Sequence, residues 1–217
     1  MPYPTAVPTT YIAPGTPLRN EDTARFFIRY YKAFPAPDRD QWRLAIGGLV
    51  DAPATLSLTD IRRELPYHEQ NKRMMCLEGW SSRATWGGFT YHDLAALVRP
   101  KPAATHVRID CVDDYWESVA ITELQRAVAQ FTRHMNGTYL PAKHGAPLRM
   151  ILPWLYGWLQ RRQSDLPAHV HRQRRERFWP TNGPFTTADD IAAGRDYPLD
   201  LGGSEVRSIT GSEVTIY

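Results

Sequence analysis

Short segments of alternating apolar and polar residues, each ended within a few positions by proline, glycine or a charged residue, dominate this sequence. Trp42, Leu44 and Ile46 alternate with Arg43, Ala45 and Gly47, as residues do in a strand that buries one face. The segment that follows predicts a short helix with Ser57 or Thr59 near its N-cap. The chain thus begins its core with one short strand and one short helix.

Three further segments continue this pattern. Residues 90–98 predict a brief helix, residues 105–121 predict a pair of strands, and residues 122–131 predict an amphipathic helix. Strands and short helices therefore interleave without a regular βαβ repeat. This arrangement predicts an α+β fold.

Proline-rich residues 1–22 predict an extended arm that lies on the domain rather than a hydrogen-bonded element. The remaining residues, 23–217, belong to a chain with 42% hydrophobic residues and seven tryptophans, which is enough to bury one substantial core. They show no internal repeat and no low-complexity block. We expect a single domain over residues 23–217, preceded by the arm.

The formal net charge of +3, from 26 basic and 23 acidic residues, is too balanced to indicate a nucleic-acid or membrane surface. No window approaches the roughly 18 apolar residues of a membrane span. The N-terminus shows neither a Sec nor a twin-arginine signal. These features predict a cytoplasmic protein without a membrane span, or a periplasmic one if a signal has been removed.

Cys76 and Cys111 are the two cysteines, too few for the disulfide framework of a small secreted protein. Lys72 and Arg73 precede Cys76, and cationic neighbours favour the thiolate that acts as a metal ligand or nucleophile. The alternatives are a buried thiol that only fills space, and a structural disulfide or redox switch between the two cysteines. The sequence lacks the Cys-x-x-Cys and His-Glu-x-x-His spacings of zinc sites.

A second informative stretch, residues 140–158, reads LPAKHGAPLRMILPWLYGW. Gly145 and Gly157 allow a backbone to pass close to a ligand, and Arg149 can hold a phosphate or carboxylate through paired donors. The alternative interpretation is a rigid turn between core strands.

Together these stretches resemble a known family. The motif CLEGWS at 76–81, then W-x-G-x-x-x-x-D-L from residue 86, and LP-x-x-HGAPLR-x-x-x-P-x-x-YGW from residue 140 are similar to the molybdopterin-binding domain of sulfite oxidases and of the catalytic subunit of periplasmic methionine-sulfoxide reductase. The resemblance covers about residues 26–162. It implies a β-rich fold of mixed sheets with short helices, and an oxidoreductase that carries molybdenum on molybdopterin. The reaction that the resemblance implies is a two-electron oxygen-atom transfer on a small sulfur or nitrogen oxide.

The resemblance also implies roles for individual residues. Cys76 is the protein thiolate on molybdenum, with the remaining sulfur ligands supplied by the pterin dithiolene. Arg73 matches a basic residue just ahead of this ligand, and Glu78 is a candidate acid or hydrogen-bond partner, with an ordinary salt bridge as its alternative. The residues expected to contact the cofactor are Tyr30, Tyr31, Cys111, His144, Arg149, Gln160, Arg161 and Arg162.

Several positions depart from the family pattern. Residues 159–162 read Leu-Gln-Arg-Arg, where the family usually reads Lys-Ser-x-Lys. Tyr30 and Tyr31 stand where sulfite oxidases often have Asn-His, and Cys111 stands where methionine-sulfoxide reductase relatives tend to have Thr. Each position is expected to line the cofactor. The departures leave a second hypothesis open, an interaction or thiol-redox module on the same fold that has lost its cofactor.

The resemblance implies partners as well. The expected substrate is a small oxyanion or sulfoxide. Because the sequence has no Cys-x-x-Cys-His haem motif, a separate haem or flavin protein is expected to exchange electrons with the domain. The arginines between residues 161 and 177 predict a solvated face, with a docking patch for an acidic redox partner or nucleic acid as the alternatives. Nucleic acid is not expected, since few aromatic residues interleave with these arginines.

Overall fold

The computed structural model describes residues 19–27, 37–76, 79–111, 115–155, 168–171, 194–201 and 207–209. In chain order its strands and α-helices are β1 (Leu44–Gly48), β2 (Ala54–Leu56), α1 (Leu58–Glu64), β3 (His68–Met75), β4 (Trp80–Thr90), α2 (Tyr91–Val98), β5 (His106–Asp110), β6 (Trp116–Ala120), α3 (Ile121–Leu124), β7 (Gln130–Met135), β8 (Thr138–Tyr139), β9 (Arg149–Ile151), β10 (Ala168–His171), β11 (Gly194–Pro198) and β12 (Arg207–Ile209). Short 3₁₀ helices lie at Ala142–His144 and Leu199–Leu201.

The first sheet contains five strands in the order β2, β1, β10, β5, β6. β1 and β10 run parallel, whereas the other neighbours in this sheet are antiparallel. Parallel and antiparallel pairs also occur together in the second sheet. The prediction of an α+β fold with mixed sheets and short helices is therefore confirmed.

The second sheet is built around the long strand β4. β3 pairs with one edge of β4 over its whole length, from His68 opposite Gly88 to Met75 opposite Ser81. On the other edge β7 pairs antiparallel with the C-terminal half of β4, and β11 pairs parallel with Trp80 and Ser81. β8 and β9 then pair with β7, and β12 pairs with β11. Eight of the eleven residues of β4 are buried as a result.

Besides a small cluster that contains Cys111 and Tyr115, two large apolar clusters fill much of the interior of the described part of the chain. The larger cluster joins side chains of both sheets and of all three α-helices, such as Leu44, Ile61 and Leu94. The smaller cluster surrounds Trp86 and includes Phe26 and Met74. The smaller cluster lies beside residues of the two sequence motifs described above, so it helps to position the candidate site.

Local capping chemistry explains the first two helices. Ser57 caps α1 and accepts a hydrogen bond from the amide of Asp60, whose carboxylate accepts one from the amide of Ser57. Thr90 and Asp93 form the same reciprocal capping box at α2. The predicted helix after residue 57 and the predicted helix over residues 90–98 are confirmed, as is the strand pair within 105–121.

The helix predicted over residues 122–131 is wrong beyond its first turn. α3 ends at Leu124, and Gln130 and Phe131 begin β7 instead. Phe131 lies between β4 and β9, where its ring stacks on Phe89 with centroids 5.3 Å apart. Pairing with two neighbouring strands outweighs the helical pattern, because helix propensity is a weak preference that tertiary contacts override.

The described end of the N-terminal arm lies on β4. The amide of Glu21 donates to the carbonyl of Arg83 at 2.8 Å, and the Asn20 side chain bonds to Thr85 and Asn71. Residues 1–18 lie outside the described residues, so the boundary between arm and domain stays a prediction. Within the described ranges, no helix has the length and apolar character needed to cross a bilayer.

Candidate functional site

Cys76 lies at the closed end of the β3–β4 hairpin. Its amide donates to the carbonyl of Trp80 at 2.8 Å, and its carbonyl accepts from the amide of Gly79 at 3.0 Å. Gly79 has a φ of 85°, a left-handed conformation that glycine adopts without steric cost. The Cys76 side chain is half-buried and forms no disulfide. The hairpin therefore presents a thiol that is in no disulfide, and it does so from a hydrogen-bonded backbone.

Contacts from β11 and from Phe27 also hold this end of the hairpin in place. The amide of Tyr197 in β11 donates to the carbonyl of Gly79 at 3.0 Å. The ring of Phe27 packs edge-on against Trp80, with centroids 4.8 Å apart. Glu78, predicted as an acid near the metal, lies outside the described residues.

Arg73 takes part in a buried polar network rather than standing as an open cation. Its guanidinium binds both carboxylate oxygens of Asp200, one of them at 2.6 Å, and donates to the Ser81 hydroxyl at 3.0 Å. Ser81 in turn donates to Asp196 at 2.8 Å. Arg73 is 2% exposed, and Ser81 and Asp196 are fully buried. A buried guanidinium is tolerated because it is paired in this way.

Strand alternation separates Arg73 from Cys76. Successive side chains of a strand point to opposite faces, and the backbone pairing of β3 with β4 continues through Cys76. Cys76 therefore lies on the same face as Met74, whereas Arg73 lies on the opposite face. Direct action of Arg73 at the thiol, as the sequence predicts, is disfavoured by this geometry.

His144 and Arg149 lie against the Trp86 cluster, on the same face as Met74 and Cys76. His144 is buried in the 3₁₀ helix, and its Nε2 lies 2.7 Å from the carbonyl oxygen of Thr23. Arg149, 7% exposed, donates to the carbonyl of His144 at 3.0 Å, and its guanidinium lies 5.4 Å from the Trp86 ring centroid. The structure thus brings these two predicted residues together.

Cys111 lies at the end of a different hairpin, formed by β5 and β6 in the first sheet. Its amide donates to the carbonyl of Tyr115 at 2.7 Å, and its side chain is 5% exposed. The Tyr115 hydroxyl donates to the buried carboxylate of Glu117. Neither Cys111 nor Cys76 is in a disulfide, so the structure does not contain the disulfide considered as an alternative.

Several residues predicted to bind the cofactor lie outside the described residues, namely Tyr30, Tyr31, Gln160, Arg161 and Arg162. Sequence reasoning in turn missed Asp196 and Asp200, which complete the network around Arg73. They lie more than 100 residues from their partners along the chain, and no local pattern marks them. Trp86 was noted as part of a motif, but its contact with Arg149 could not be inferred.

Comparison with known proteins identifies the domain. A family model described as the oxidoreductase molybdopterin binding domain matches residues 31–163, more than half of the chain. This chain belongs to that family. The resemblance to sulfite oxidases is thereby confirmed, and molybdenum held by molybdopterin is the cofactor of the domain.

A solved structure shows the same fold. The chain is similar to the sulfane dehydrogenase SoxCD from Paracoccus pantotrophus, with a TM-score of 0.69 and 15% sequence identity. The match covers 91% of this chain and 52% of the other, so this chain spans about half the length of that relative. At this identity the similarity shows the fold.

The side chains present fit a molybdenum centre of this family. Among the described residues, no group of three or more His, Cys, Asp and Glu side chains could hold a metal ion. The pterin dithiolene of such a cofactor supplies sulfur donors that suit molybdenum, and the thiolate of Cys76 is a soft ligand of the same kind. The half-buried thiol and the buried cation of Arg149 on the same face agree with such a cofactor.

Proposed function

We propose that this domain is a molybdopterin oxidoreductase that transfers an oxygen atom to or from a small sulfur or nitrogen oxide, with Cys76 as the protein ligand of molybdenum. The observation that carries the proposal is the placement of Cys76, a half-buried thiol outside any disulfide, at the closed end of a hairpin fixed by β11. Family membership supports the cofactor, and the geometry supports the ligand.

The cofactor supplies the two-electron redox chemistry when it is bound. The protein's contribution is to hold the thiol. The backbone of Cys76 bonds to Gly79 and Trp80, and Gly79 bonds to Tyr197, so Sγ has little freedom beyond rotation of its own side chain. A ligand held in this way needs little reorganisation when the metal binds.

Arg149 is the described residue best suited to hold an anionic part of the cofactor. Its charge is buried, it lies on the same face as Cys76, and the carbonyl of His144 and the ring of Trp86 fix its orientation. A guanidinium binds phosphate or carboxylate through two parallel hydrogen bonds. His144 contributes by orienting this arginine through its backbone. The roles of Tyr30, Tyr31, Cys111, Gln160, Arg161 and Arg162 in cofactor binding stay predictions.

The substrate is a small sulfur compound or oxyanion on this proposal, and electrons pass to or from a separate haem or flavin protein. The structural relative is named a sulfane dehydrogenase, which supports a sulfur compound over a nitrogen oxide. The expected cytoplasmic or periplasmic location stays a prediction.

The first test measures cofactor content. The protein is purified from a host that makes molybdopterin, molybdenum is quantified by inductively coupled plasma mass spectrometry, and the pterin by its fluorescence after oxidative release. Equimolar metal and pterin would support the proposal. Turnover of sulfite, a sulfoxide or an N-oxide, with a redox dye as the artificial electron donor or acceptor, would support it further. Absence of both metal and pterin would contradict it.

The second hypothesis is a module on the same fold that has lost its cofactor. The observation that favours it is Arg73, a predicted site cation that is already paired with Asp200 on the opposite face of the strand. Cofactor content separates the two hypotheses, because a module that has lost its cofactor contains neither molybdenum nor pterin under the same conditions.

A further inference from the structure

An exposed group of aromatic and cationic side chains lies at the end of β3 remote from Cys76. It consists of Tyr67, His134, Tyr139, Arg39, Arg62 and Arg133, and is called the tyrosine–arginine patch below. Eight residues of β3 separate Tyr67 from Cys76, a span of about 30 Å at the rise of an extended strand. The patch is therefore distinct from the proposed metal site.

The aromatic part of the patch is ordered by ring contacts. His134 stacks on Tyr139 with centroids 4.6 Å apart, and Tyr67 packs edge-on against His134 at 5.5 Å. Tyr67 and Tyr139 are 46% and 47% exposed, and no other large hydrophobic side chain in the described part of the chain is as open to solvent. Apolar rings held open to solvent at one place are a mark of an interaction surface.

A glycine in β4 makes room for Tyr67. A Cβ atom at Gly87 would lie 2.0 Å from the Tyr67 hydroxyl oxygen, so any other residue there would displace the ring. Gly87 also pairs directly with His134 across the sheet. The position of Tyr67 is thus determined by the sheet beneath it and not by an unconstrained loop.

Three guanidinium groups surround the rings. Arg39 lies 4.5 Å from the Tyr139 centroid, Arg133 lies 5.1 Å from the Tyr67 centroid, and Arg62 donates to the Tyr139 hydroxyl at 3.2 Å. Within the described residues, none of these three arginines forms an ion pair with a carboxylate. Glu69 is an acid beside the rings, and it accepts a hydrogen bond from Tyr67; Asp38 and Asp40 flank Arg39 in the sequence.

Burial and neighbouring positive charges lower the pKa values of two residues in the patch. Burial lowers the pKa of Arg133, and the charge of Arg62 lowers it further, against the opposing effect of the two tyrosines. Burial also lowers the pKa of His134, as do Arg133 and Arg39, with Glu69 opposing. An incoming carboxylate would relieve this repulsion and gain hydrogen bonds from the arginines.

We propose that the tyrosine–arginine patch is a docking surface for a protein partner that presents carboxylates. Tyrosine and arginine are enriched among the residues that contribute most to protein–protein binding. A nucleic acid fits less well, because His134, Arg39 and Arg133 already lie against the tyrosine rings that a base would need for stacking.

The test uses full-length protein and two synthetic probes, an oligoglutamate peptide and an oligoglutamine peptide of equal length. Backbone amide shifts are followed by nuclear magnetic resonance during each titration. The oligoglutamate peptide should shift the amides of Gly87, His134 and Tyr139, with weaker binding at higher salt. The oligoglutamine peptide should leave them unchanged.

Arg62 and Arg63 provide a matched pair of variants. Both lie on α1, but Arg63 already pairs with Asp60 and Glu64 and lies outside the patch. Arg62→Ala should weaken oligoglutamate binding about fivefold and the double variant with Arg133→Ala at least about tenfold, whereas Arg63→Ala should change it less than about twofold. Molybdenum content should be the same in all variants, which separates this proposal from the proposed enzymatic function.

Three results would overturn the proposal. Equal weakening by Arg62→Ala and Arg63→Ala would show a nonspecific charge effect. Inorganic phosphate that shifts the same amides as strongly as the peptide would indicate a small-anion site instead. Sedimentation that shows self-association, lost in Arg62→Ala, would make a second copy of this chain the partner.

Discussion

The two cysteines occupy matching places in two hairpins but differ in exposure. Cys76 follows β3 in the seven-stranded sheet and Cys111 follows β5 in the five-stranded sheet, and each amide donates to a carbonyl across its hairpin. Cys76 is half-buried, whereas Cys111 is 5% exposed. Position at a hairpin end therefore does not by itself make a thiol available to a ligand.

The surroundings of each hairpin account for the difference. β11 pairs with one edge of the Cys76 hairpin, and the Arg73–Asp200 pair lies on the face opposite the Cys76 side chain. Cys111 instead packs with Tyr115 in its own buried cluster. The comparison favours Cys76 as the metal ligand, and a role for Cys111 in lining the cofactor stays a prediction.

The largest expected effect separates the two thiols directly. Cys76→Ser should lower turnover more than about 100-fold, because even changes to groups behind a metal ligand cost about 10–100-fold. Cys111→Ser should cost about tenfold at most, since that side chain is buried within its own cluster. Steady-state kinetics with a redox dye as the artificial electron donor or acceptor measure the turnover of both variants, and their molybdenum content is measured alongside.

The matching serine variants are nearly isosteric, so both should fold. Circular dichroism of each variant serves as the control for folding. If Cys111→Ser removes the metal and Cys76→Ser retains full activity, the assignment of the ligand is reversed.

The next effect concerns what holds each hairpin. Asp200→Asn leaves the buried guanidinium of Arg73 without its charge partner, which should lower the free energy of unfolding by about 3–5 kcal/mol. Glu117→Gln, the corresponding change beside Cys111, alters a hydrogen bond from Tyr115 and should cost about 1–3 kcal/mol. Urea denaturation of both variants measures the difference.

Equal losses in the two variants would show that the hairpins are held equally firmly, contrary to the comparison. Arg73→Met with Asp200→Leu provides a further control, because it removes both charges at once. This double variant should recover part of the stability lost in Asp200→Asn.

Thiol reactivity should show a smaller difference. In metal-free protein Cys76 should be alkylated by iodoacetamide at least about tenfold faster than Cys111, because a buried thiol reacts only after local opening. Mass spectrometry of peptides over a time course measures both rates in one sample. Equal rates would remove the difference in exposure on which the assignment depends.

Local sequence patterns predicted the helices α1 and α2, because the residues that determine these helices lie within a few positions of one another. The capping residues Ser57 and Thr90 are examples, since each bonds to an amide three positions away. Cys76 was likewise selected as a candidate ligand through its motif and its basic neighbours, and that role stays a prediction. The pairing of Arg73 with Asp200 could not be predicted, because 127 residues separate them and only the folded sheet brings them together.

The wrong helix at 122–131 has the same origin. Gln130 carries a helical pattern locally, yet its backbone pairs with β4 and β9 and its side chain donates to the carbonyl of His68. Likewise, nothing near Gly87 in the sequence indicates that the Tyr67 ring lies against it. Contacts between strands that are distant in the sequence determine the conformation of these residues, and a single sequence does not show such contacts.

The smallest expected effect concerns the helices that follow the two hairpins. α2 follows the Cys76 hairpin and has the Thr90–Asp93 capping box, whereas α3 follows the Cys111 hairpin and its N-cap, Ala120, makes no side-chain hydrogen bond. Burial raises the pKa of Asp93, but hydrogen bonds from Thr90 and the charge of His68 outweigh it, and the pKa lies below its usual value of 3.8. The charged carboxylate therefore stabilises the folded state above that value.

This contribution should be lost as the pH falls from the usual value of 3.8 through the lowered pKa of Asp93, since the unfolded chain then binds the proton first. Asp93→Asn should cost about 1 kcal/mol at neutral pH and weaken the dependence of stability on pH in the acid range. Urea midpoints measured for both proteins between about pH 5 and pH 3 test this. Asp51→Asn, at an exposed site outside any helix, is the control and should leave the acid dependence unchanged. If Asp93→Asn shows the same acid dependence as the unaltered protein, other carboxylates are responsible, and the capped helix gives the Cys76 hairpin no advantage over the Cys111 hairpin in acid.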